Sequence, residues 1–385
     1  MSFNGPARAQ VQQGPTPTRQ FPQAGPWMQP PPGALPPGPP GPPPPGPPGG
    51  PPPGGYGKPP RKRRRGPILG LAAAVLIALV GGFLVATHEG DVTGPASGTG
   101  GTGGQPEALA NCTTTATDGA AARSALESAG PGARICLSGD LGSEELEVRR
   151  SGSANAPIMI IGGGSASTGR ITVKADHVVV DGVRMSKPRS PGFLLMGNDI
   201  TVRNSTVDSP QVLKKGDDGD GIRFFGNDIK ILNNVVKNAK NLNGQKGNHA
   251  DAVQTFATSD EYKPSQRILI DGNRFENIDN MCLIAEGPNS EEGDGSEEGK
   301  SSGFTVTNNY CAAGAGQAFF FDDVSNATLT GNTIAGHVKK AFSLQNKSVK
   351  ATIKDNKVTT EVDYEVGMDG SSEKGYNGPE PGGDP

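Results

Sequence analysis

Aromatic residues and cysteines are scarce in this chain. Among 385 residues there is one tryptophan, Trp27, with five tyrosines and four cysteines. So few rings disfavour a protein that binds sugars mainly by stacking on them. The absence of any Cys-x-x-Cys pair argues against a thiol metal site or a redox-active dithiol. A net charge of −3 gives no support for nucleic-acid binding.

Aliphatic residues are almost missing from residues 1–60, which hold 23 of the 36 prolines. Such a segment cannot build a core, so we predict that residues 1–65 are disordered or polyproline-II-like, ending in a basic run. No strict Gly-x-y period is present, which excludes collagen. The segment is then either a solvated spacer or a tail that docks to a cytoplasmic partner with an aromatic groove.

Charge is absent from residues 66–87, and a helix of that length is roughly 33 Å long, enough to cross a bilayer. Five cations at 61–65 precede it, whereas Glu89 and Asp91 follow. The positive-inside rule therefore predicts a single-pass cell-membrane protein with a cytoplasmic N-terminus, the basic run contacting anionic lipid rather than nucleic acid. A cleaved signal peptide is the alternative, but the long segment before the apolar run argues against it.

Three segments follow the predicted span. Residues 88–109 are predicted to be a flexible Gly/Thr/Ser stalk, because small polar residues dominate them. Residues 110–362 are long enough for one sizeable core. Residues 363–385 are rich in glycine, proline and acids, and we predict that this acidic tail is disordered.

Four cysteines, an even number in a predicted extracellular domain, favour two disulfides: Cys112, Cys136, Cys282 and Cys311. Three pairings are open. A bridge between the first two would hold the N-terminal cap, and the last two, 29 residues apart, could join neighbouring coils.

A repeat organises the predicted core. Seven segments share an alternating aliphatic pattern that closes on a small or polar turn, and they start at Val178, Ile200, Ile229, Ile268, Phe304, Ala327 and Ala351. The last five carry an asparagine in register: Asn234, Asn273, Asn309, Asn332 and Asn356. A second alternating strand precedes each turn motif, starting at Phe193, Ile222, Val253, Leu283, Phe319 and Phe342. Short strands repeated every 22 to 39 residues predict a stacked solenoid with an internal amide ladder.

This pattern resembles the right-handed parallel β-helix proteins of pectate-lyase-like type, over roughly residues 110–362. The predicted fold class is therefore all-β: a right-handed parallel β-helix solenoid ectodomain, preceded by a disordered Pro-rich tail and one transmembrane helix. The group includes pectate, chondroitinase-B-like and alginate lyases, mannuronan epimerases, polygalacturonase-type hydrolases and phage tailspikes. The resemblance implies action on acidic polysaccharide at an outer sheet face, although a fold alone does not define an activity.

One polar region interrupts the regular coils. It comprises residues 214–223 and, one coil later, residues 246–254. Aligning the two strand starts places Asp220 and Asp251 at equivalent positions on coils about 4.8 Å apart. Two carboxylates that close share a proton or bind a cation. The segment from His249 to Gln254 is also similar to the His-x-Asp-x-x-Gln strand entry of many bacterial β-helix proteins.

The resemblance to lyases implies a base that removes the C5 proton of a uronate and a cation that neutralises its carboxylate. The candidate catalytic residues are Lys214, Arg223, His249 and Asp251. The candidate substrate-binding residues are Lys215 and Gln254. Calcium is the candidate cofactor, with Asp218, Asp220 and Glu286 as its expected ligands and Asp251 as a further one.

Two alternatives remain for this region. Asp220 and Asp251 could be the acid–base pair of a glycoside hydrolase, but the Gly-His-Gly and Arg-Ile-Lys signatures of polygalacturonase-type enzymes are absent. The Trp-x-Asp-His and Arg-x-Pro-x-x-Arg marks of pectate lyases are absent as well. The polar residues could also simply form turns.

We predict a bacterial, membrane-anchored, extracellular β-helix protein acting on acidic or cell-wall polysaccharide, as a lyase or a related carbohydrate-active enzyme. The alternative is a non-catalytic surface β-helix that binds glycan or a partner protein.

Overall fold

A computed structural model describes residues 105–213, 217–241, 249–258, 262–290 and 300–385. The predicted Pro-rich tail, the predicted span and most of the predicted stalk lie outside these residues, as do Lys214 and Lys215. No helix in the described ranges is long and apolar enough to span a bilayer.

The described chain begins with a small cap. Strand β1 (Thr114–Ala116) leads into helix α1 (Gly119–Ser128), and strand β2 (Arg134–Leu137) follows. Asp118 caps the helix, since its carboxylate accepts a hydrogen bond of 2.8 Å from the Ala121 N–H. The Cys112–Cys136 disulfide ties this cap to the first coil.

Successive coils then contribute strands to three parallel sheets. The first sheet contains β1 and β2 and further strands, β4 (Ile158–Ile161), β6 (Val178–Asp181), β9 (Ile200–Arg203), β12 (Lys230–Leu232), β15 (Gln266–Asp271), β18 (Ser301–Thr307), β21 (Val324–Ser325), β22 (Thr328–Thr330) and β25 (Thr352–Lys354). The second sheet contains β7 (Arg184–Ser186), β10 (Thr206–Asp208), β13 (Val235–Lys237), β16 (Arg274–Ile278), β19 (Tyr310–Ala313), β23 (Thr333–Ala335) and β26 (Lys357–Val358). The third sheet contains β3 (Glu145–Val148), β5 (Arg170–Val173), β8 (Phe193–Met196), β11 (Ile222–Phe225), β14 (Val253–Thr255), β17 (Leu283–Glu286), β20 (Gln317–Asp322), β24 (Lys340–Gln345) and β27 (Tyr364–Met368).

The third sheet has the register that the sequence predicted. Ile222 pairs with Phe193 on one side and with Val253 on the other, and Leu283 pairs with Phe319. These side chains point inward, and each is fully buried. Alternate residues of each strand face outward, so the outer surface of the third sheet carries one residue per coil at every second position.

The predicted amide ladder is confirmed, and Asn273 shows its geometry. Its side-chain oxygen accepts hydrogen bonds from the Asn234 N–H (2.8 Å) and side-chain amide (3.1 Å), while its own amide donates to Asn309 (2.9 Å) and to the Ile231 carbonyl (2.8 Å). The same pattern continues through Asn332 to the last coil. Each asparagine therefore satisfies buried backbone groups at the turn of a neighbouring coil.

The second predicted disulfide is also present, because Cys282 and Cys311 are bridged across neighbouring coils. Of the three connectivities that the sequence left open, the structure has the one that joins Cys112 to Cys136 and Cys282 to Cys311.

Both ends of the predicted β-helix segment differ from expectation. The described part of the predicted stalk packs on the solenoid, where Glu107 forms ion pairs with Arg134 (2.6 Å) and Arg203 (3.3 Å). The predicted disordered tail instead contains strand β27, which pairs with β24, and Gly367 forms a further bridge to Gly383. An open sheet edge offers unpaired backbone groups, and the tail satisfies them despite a composition that suggested disorder.

Candidate active site

The polar region forms one cluster at the N-terminal edge of the third sheet. Asp220 and Asp251 each lie two residues before a strand, and the Asp251 N–H donates a 3.1 Å hydrogen bond to the Asp220 carboxylate. The Gly221 N–H donates to the Asp251 carbonyl at 3.0 Å. The predicted equivalence of the two aspartates on neighbouring coils is thus present in the structure, and both carboxylates are fully buried.

Arg223 binds two acids of its own coil. Its Nε donates to Asp220 Oδ2 at 3.0 Å and its Nη2 donates to Asp218 Oδ2 at 2.9 Å, while a second contact joins Nη2 to Asp220. The guanidinium also lies 5.8 Å from the centre of the Phe256 ring. A fork that spans two carboxylates and rests on a ring is held in one orientation, so Arg223 is a fixed charge rather than a mobile one.

His249 is held by the acid on its own coil. Its Nδ1 lies 2.6 Å from Asp251 Oδ2, and its Nε2 lies 3.7 Å from Asp218 Oδ1. The other Asp251 oxygen accepts hydrogen bonds from the Met281 N–H (2.9 Å) and from the Asn280 side-chain amide (2.8 Å). Asp251 is therefore fixed by the following coil, and it fixes the imidazole in turn.

The protonation states of the cluster differ from those of the free side chains. Burial disfavours a charged His249, but the hydrogen bond to Asp251 and the charges of Asp251, Asp218 and Asp220 outweigh it and raise its pKa to about 9. Burial is the main cause that raises the pKa of Asp220 to about 7; Arg223 lowers this pKa, while Asp251 and Asp218 raise it further. Near neutral pH the imidazole is therefore charged, and the raised pKa of the Asp220 carboxyl lies close to the pH.

The cluster resembles a metal site in composition. Ligand atoms of Asp220, His249 and Asp251 lie within 4.8 Å of one another. However, the carboxylate oxygens already accept hydrogen bonds from Arg223 and from backbone N–H groups, and calcium requires six to eight oxygen ligands. The arrangement suits the guanidinium as the resident cation better than calcium. Calcium binding stays a prediction.

Of the two remaining predicted site residues, Gln254 lies beside the cluster and Glu286 does not belong to it. Gln254 lies beside Arg223 in the register of the third sheet and is 2% exposed, and its Oε1 has no hydrogen-bond partner among the described residues. Glu286 lies at the C-terminal end of β17 and pairs in register with Asp322, so it does not join the group formed by Asp220 and its neighbours.

An aromatic group beside the cluster escaped the sequence analysis. The rings of Phe225 and Tyr262 stack with centroids 3.8 Å apart, and Phe256 meets Phe225 edge-on at 5.0 Å. Phe225 and Tyr262, with Met196 and Asn227, line a cavity of about 450 Å³, and Phe256 packs behind them. The strand alternation of β11 could have revealed Phe225 as an outward residue, whereas Phe256 and Tyr262 lie beyond the end of β14, where the alternation no longer applies.

Comparisons with known proteins found a family match and similar solved structures. A family described as right handed beta helix region matches residues 261–373, and no curated protein matches the chain. The solved structures that are similar include the PL6 family alginate lyase AlyGC, at 13% identity and a TM-score of 0.44. The alginate lyase from Paenibacillus sp. str. FPU-7 is similar at 17% identity and a TM-score of 0.37.

These two similarities cover unequal shares of the proteins. The first covers 66% of this chain and 40% of AlyGC, so the chain spans less than half of that protein. The second covers 69% of this chain and 99% of the Paenibacillus enzyme. With three parallel sheets and the family match over its C-terminal coils, the described domain is a right-handed parallel β-helix.

Proposed function

We propose that this protein is a carbohydrate-active β-helix that acts on acidic or cell-wall polysaccharide at the outer face of the third sheet. The observation that carries the proposal is a buried acid–base network bordering an aromatic-lined cavity on that face. Arg223 belongs to the network and contacts Phe256, an aromatic residue that packs on the cavity wall. Sugar-binding sites combine such a ring surface with a few fixed polar groups.

The reaction that we propose is β-elimination on a uronate. The C5–H bond and the C4–O bond break, a C4=C5 double bond forms, and the leaving oxygen takes up a proton. His249 is the proposed acid, because its raised pKa keeps a proton on the imidazole near neutral pH. Asp251 positions that imidazole through the 2.6 Å hydrogen bond.

The other roles follow from charge. Arg223 is the proposed partner of the uronate carboxylate, because neutralising the charge of that carboxylate makes the C5 proton easier to remove. Lys214 is the proposed base and Lys215 a proposed substrate contact, on sequence grounds alone. Gln254 is proposed to bind the sugar, because its buried acceptor lies next to Arg223 and lacks a partner within the described ranges.

The test is the release of unsaturated product from a panel of uronate polysaccharides by the full-length protein, followed by ultraviolet absorbance. We expect His249→Gln to lower the rate by about 100-fold or more, the usual contribution of a positioned proton donor. The matched control is His177→Gln, because His177 Nδ1 lies 2.9 Å from Asp199 in a similar pair elsewhere on the solenoid. Equal rates for wild type and His249→Gln would refute the proposed acid.

A second function has one observation in its favour. Arg223, Asp220 and Asp251 all satisfy one another or the backbone, as they would in a purely structural network. A non-catalytic β-helix that binds glycan or a partner protein would retain polysaccharide without shortening it. Binding of the same panel with unchanged chain length would support this alternative.

Display at the cell membrane belongs to the proposal and is supported by the uncharged residues 66–87 and the cations before them. We propose that these residues anchor the chain in the bilayer, with the β-helix outside and the Pro-rich tail facing cytoplasmic partners. The test is protease treatment of intact cells, which should digest the β-helix and spare an epitope placed at residue 1. Protection of the β-helix from protease in intact cells would contradict the proposed orientation.

A further inference from the structure

A second polar groove lies toward the C-terminal end of the solenoid, away from the cluster around Asp220. It has a volume of about 400 Å³, within the usual range of ligand sites. Its lining is drawn from several consecutive coils and comprises Asn289, Lys300, Asp323, Ser325, Lys347, Val349, Ser371 and Lys374. Apart from Val349, every lining side chain is polar or charged, and three of the eight are lysines.

The three lysines differ from the cations of the middle coils. In those coils three described lysines form ion pairs: Lys230 with Asp199, Lys237 with Asp208 and Lys240 with Asp279. By contrast, none of Lys300, Lys347 and Lys374 forms an ion pair with a described residue, and all three are exposed. Within the described ranges, three ammonium groups without an ion-pair partner share one concave surface, and such a surface attracts anions because it focuses the potential of its charges.

Among the described lining residues the one acid, Asp323, already accepts hydrogen bonds. Asp323 accepts hydrogen bonds from the Asn289 N–H (2.9 Å) and side-chain amide (3.0 Å) through one carboxylate oxygen. Its role is to fix the turn between two coils. The Lys347 N–H donates to Ser371 Oγ at 2.8 Å, which fixes the wall of the groove in the same way. These turns therefore fix the backbone of the groove, and they use no lysine ammonium group.

The direction of the groove matches a chain ligand. Asn289, Asp323, Lys347 and Ser371 lie at corresponding turns of four successive coils, as hydrogen bonds from Asn289 to Asp323, from Asp323 to Gln345 and from Lys347 to Ser371 show. Three intervals of about 4.8 Å extend the groove over about 14 Å along the solenoid axis. A single small anion would occupy only part of that length.

We propose that this groove binds a polyanionic glycan, with Lys300, Lys347 and Lys374 contacting successive acidic groups along the chain. The choice of a glycan rests on the proposed function, but binding at the groove does not require catalysis at His249. The acidic groups could be carboxylates or sulfate esters, which share the charge that the lysines recognise. The groove thus adds a holding site, separate from the candidate active site.

The experiment compares two triple variants of the full-length protein. One is K300Q/K347Q/K374Q, and the other is the matched control K339Q/K354Q/K357Q, which removes the same charge from exposed lysines of the same coils on other surfaces. Binding is measured against polygalacturonate, dextran sulfate and unmodified dextran by calorimetry at two salt concentrations. All proteins carry His249→Gln, so that turnover does not consume the ligand.

We expect the first triple variant to lose about tenfold or more in affinity for at least one polyanion, and the control to change less than about twofold. Binding should weaken with salt, and unmodified dextran should not bind. Preference between polygalacturonate and dextran sulfate would identify the acidic group. Equal losses of affinity in both triple variants, or no polyanion binding by the parent protein, would refute the proposed binding site. Because every protein carries the same His249 substitution and binding is measured directly, failure of the proposed elimination would leave this result unchanged.

Discussion

Replacing Asp251 with asparagine tests the electrostatic basis of the candidate active site. Asp251→Asn keeps the shape of the side chain but removes the charge 2.6 Å from His249 Nδ1. In the native protein the pKa of His249 is raised to about 9, against an ordinary value of about 6.5. Without the Asp251 carboxylate, only the more distant Asp218 and Asp220 oppose the effect of burial, and we expect the pKa of His249 to fall to about 6.5 or below.

The assay is NMR titration of the imidazole protons. The chain has four histidines, so the His249 signal can be assigned by its disappearance in His249→Gln. The matched control is Asp199→Asn, which removes the acid beside His177 and should leave the His249 titration unchanged. A native His249 that titrates near 6.5 would refute the reasoning, as would a value near 9 that persists in Asp251→Asn.

The same shift has a consequence for stability. A pKa near 9 instead of 6.5 corresponds to about 3 kcal/mol, and solvent around the partly exposed ring reduces this to about 1–2 kcal/mol. Because the folded pKa is raised, this stabilisation is fully present below about pH 6.5 and is lost as the pH rises through about 9. Urea unfolding at a series of pH values should show this decline in the native protein and a flatter profile in Asp251→Asn.

Three further perturbations test the buried networks and the cofactor. Arg223→Lys should lower the free energy of unfolding in urea by about 1–3 kcal/mol for each buried acceptor left without a donor. The same change at Arg267, whose paired contacts to Asp228 are exposed, is the control and should have little effect. Asn273→Ala should lower the unfolding free energy by about 2–5 kcal/mol, because it leaves several buried backbone groups unpaired, and Asn356→Ala at the partly exposed end of the ladder should cost less. If calcium is a cofactor, chelator should abolish product formation and added calcium restore it; unchanged rates in chelator would remove calcium from the proposed function.

Much of the architecture could be predicted from the sequence because every coil meets the same physical requirements. Each coil must bury alternate residues of its strands and satisfy the amides of its turns, so Asn234, Asn273 and Asn309 recur in register. Once the strand starts were aligned, Asp220 and Asp251 had to fall on neighbouring coils. The spacing of 29 residues between Cys282 and Cys311 was compatible with a bridge between neighbouring coils, although three pairings were open on sequence grounds.

Side-chain contacts at the site could not be predicted in the same way. That Asp218 contacts both Arg223 and His249 depends on how residues before two different strands fold back toward each other. Strand alternation assigns a residue to the inside or the outside only within a strand. The aromatic wall formed with Phe256 and Tyr262 lies past a strand end, where no such rule holds.

The sequence by itself determined the solenoid, its register and the coil on which each polar residue lies, since those follow from local hydrophobic alternation and from the asparagine turns. Tertiary structure decided the protonation of His249 and Asp220, because a pKa depends on burial and on charges from other coils. It also decided the fate of the C-terminal tail. Composition alone predicted disorder for residues 363–385, yet β27 pairs with β24 because the last coil leaves its backbone hydrogen-bonding groups open to any strand that can reach them.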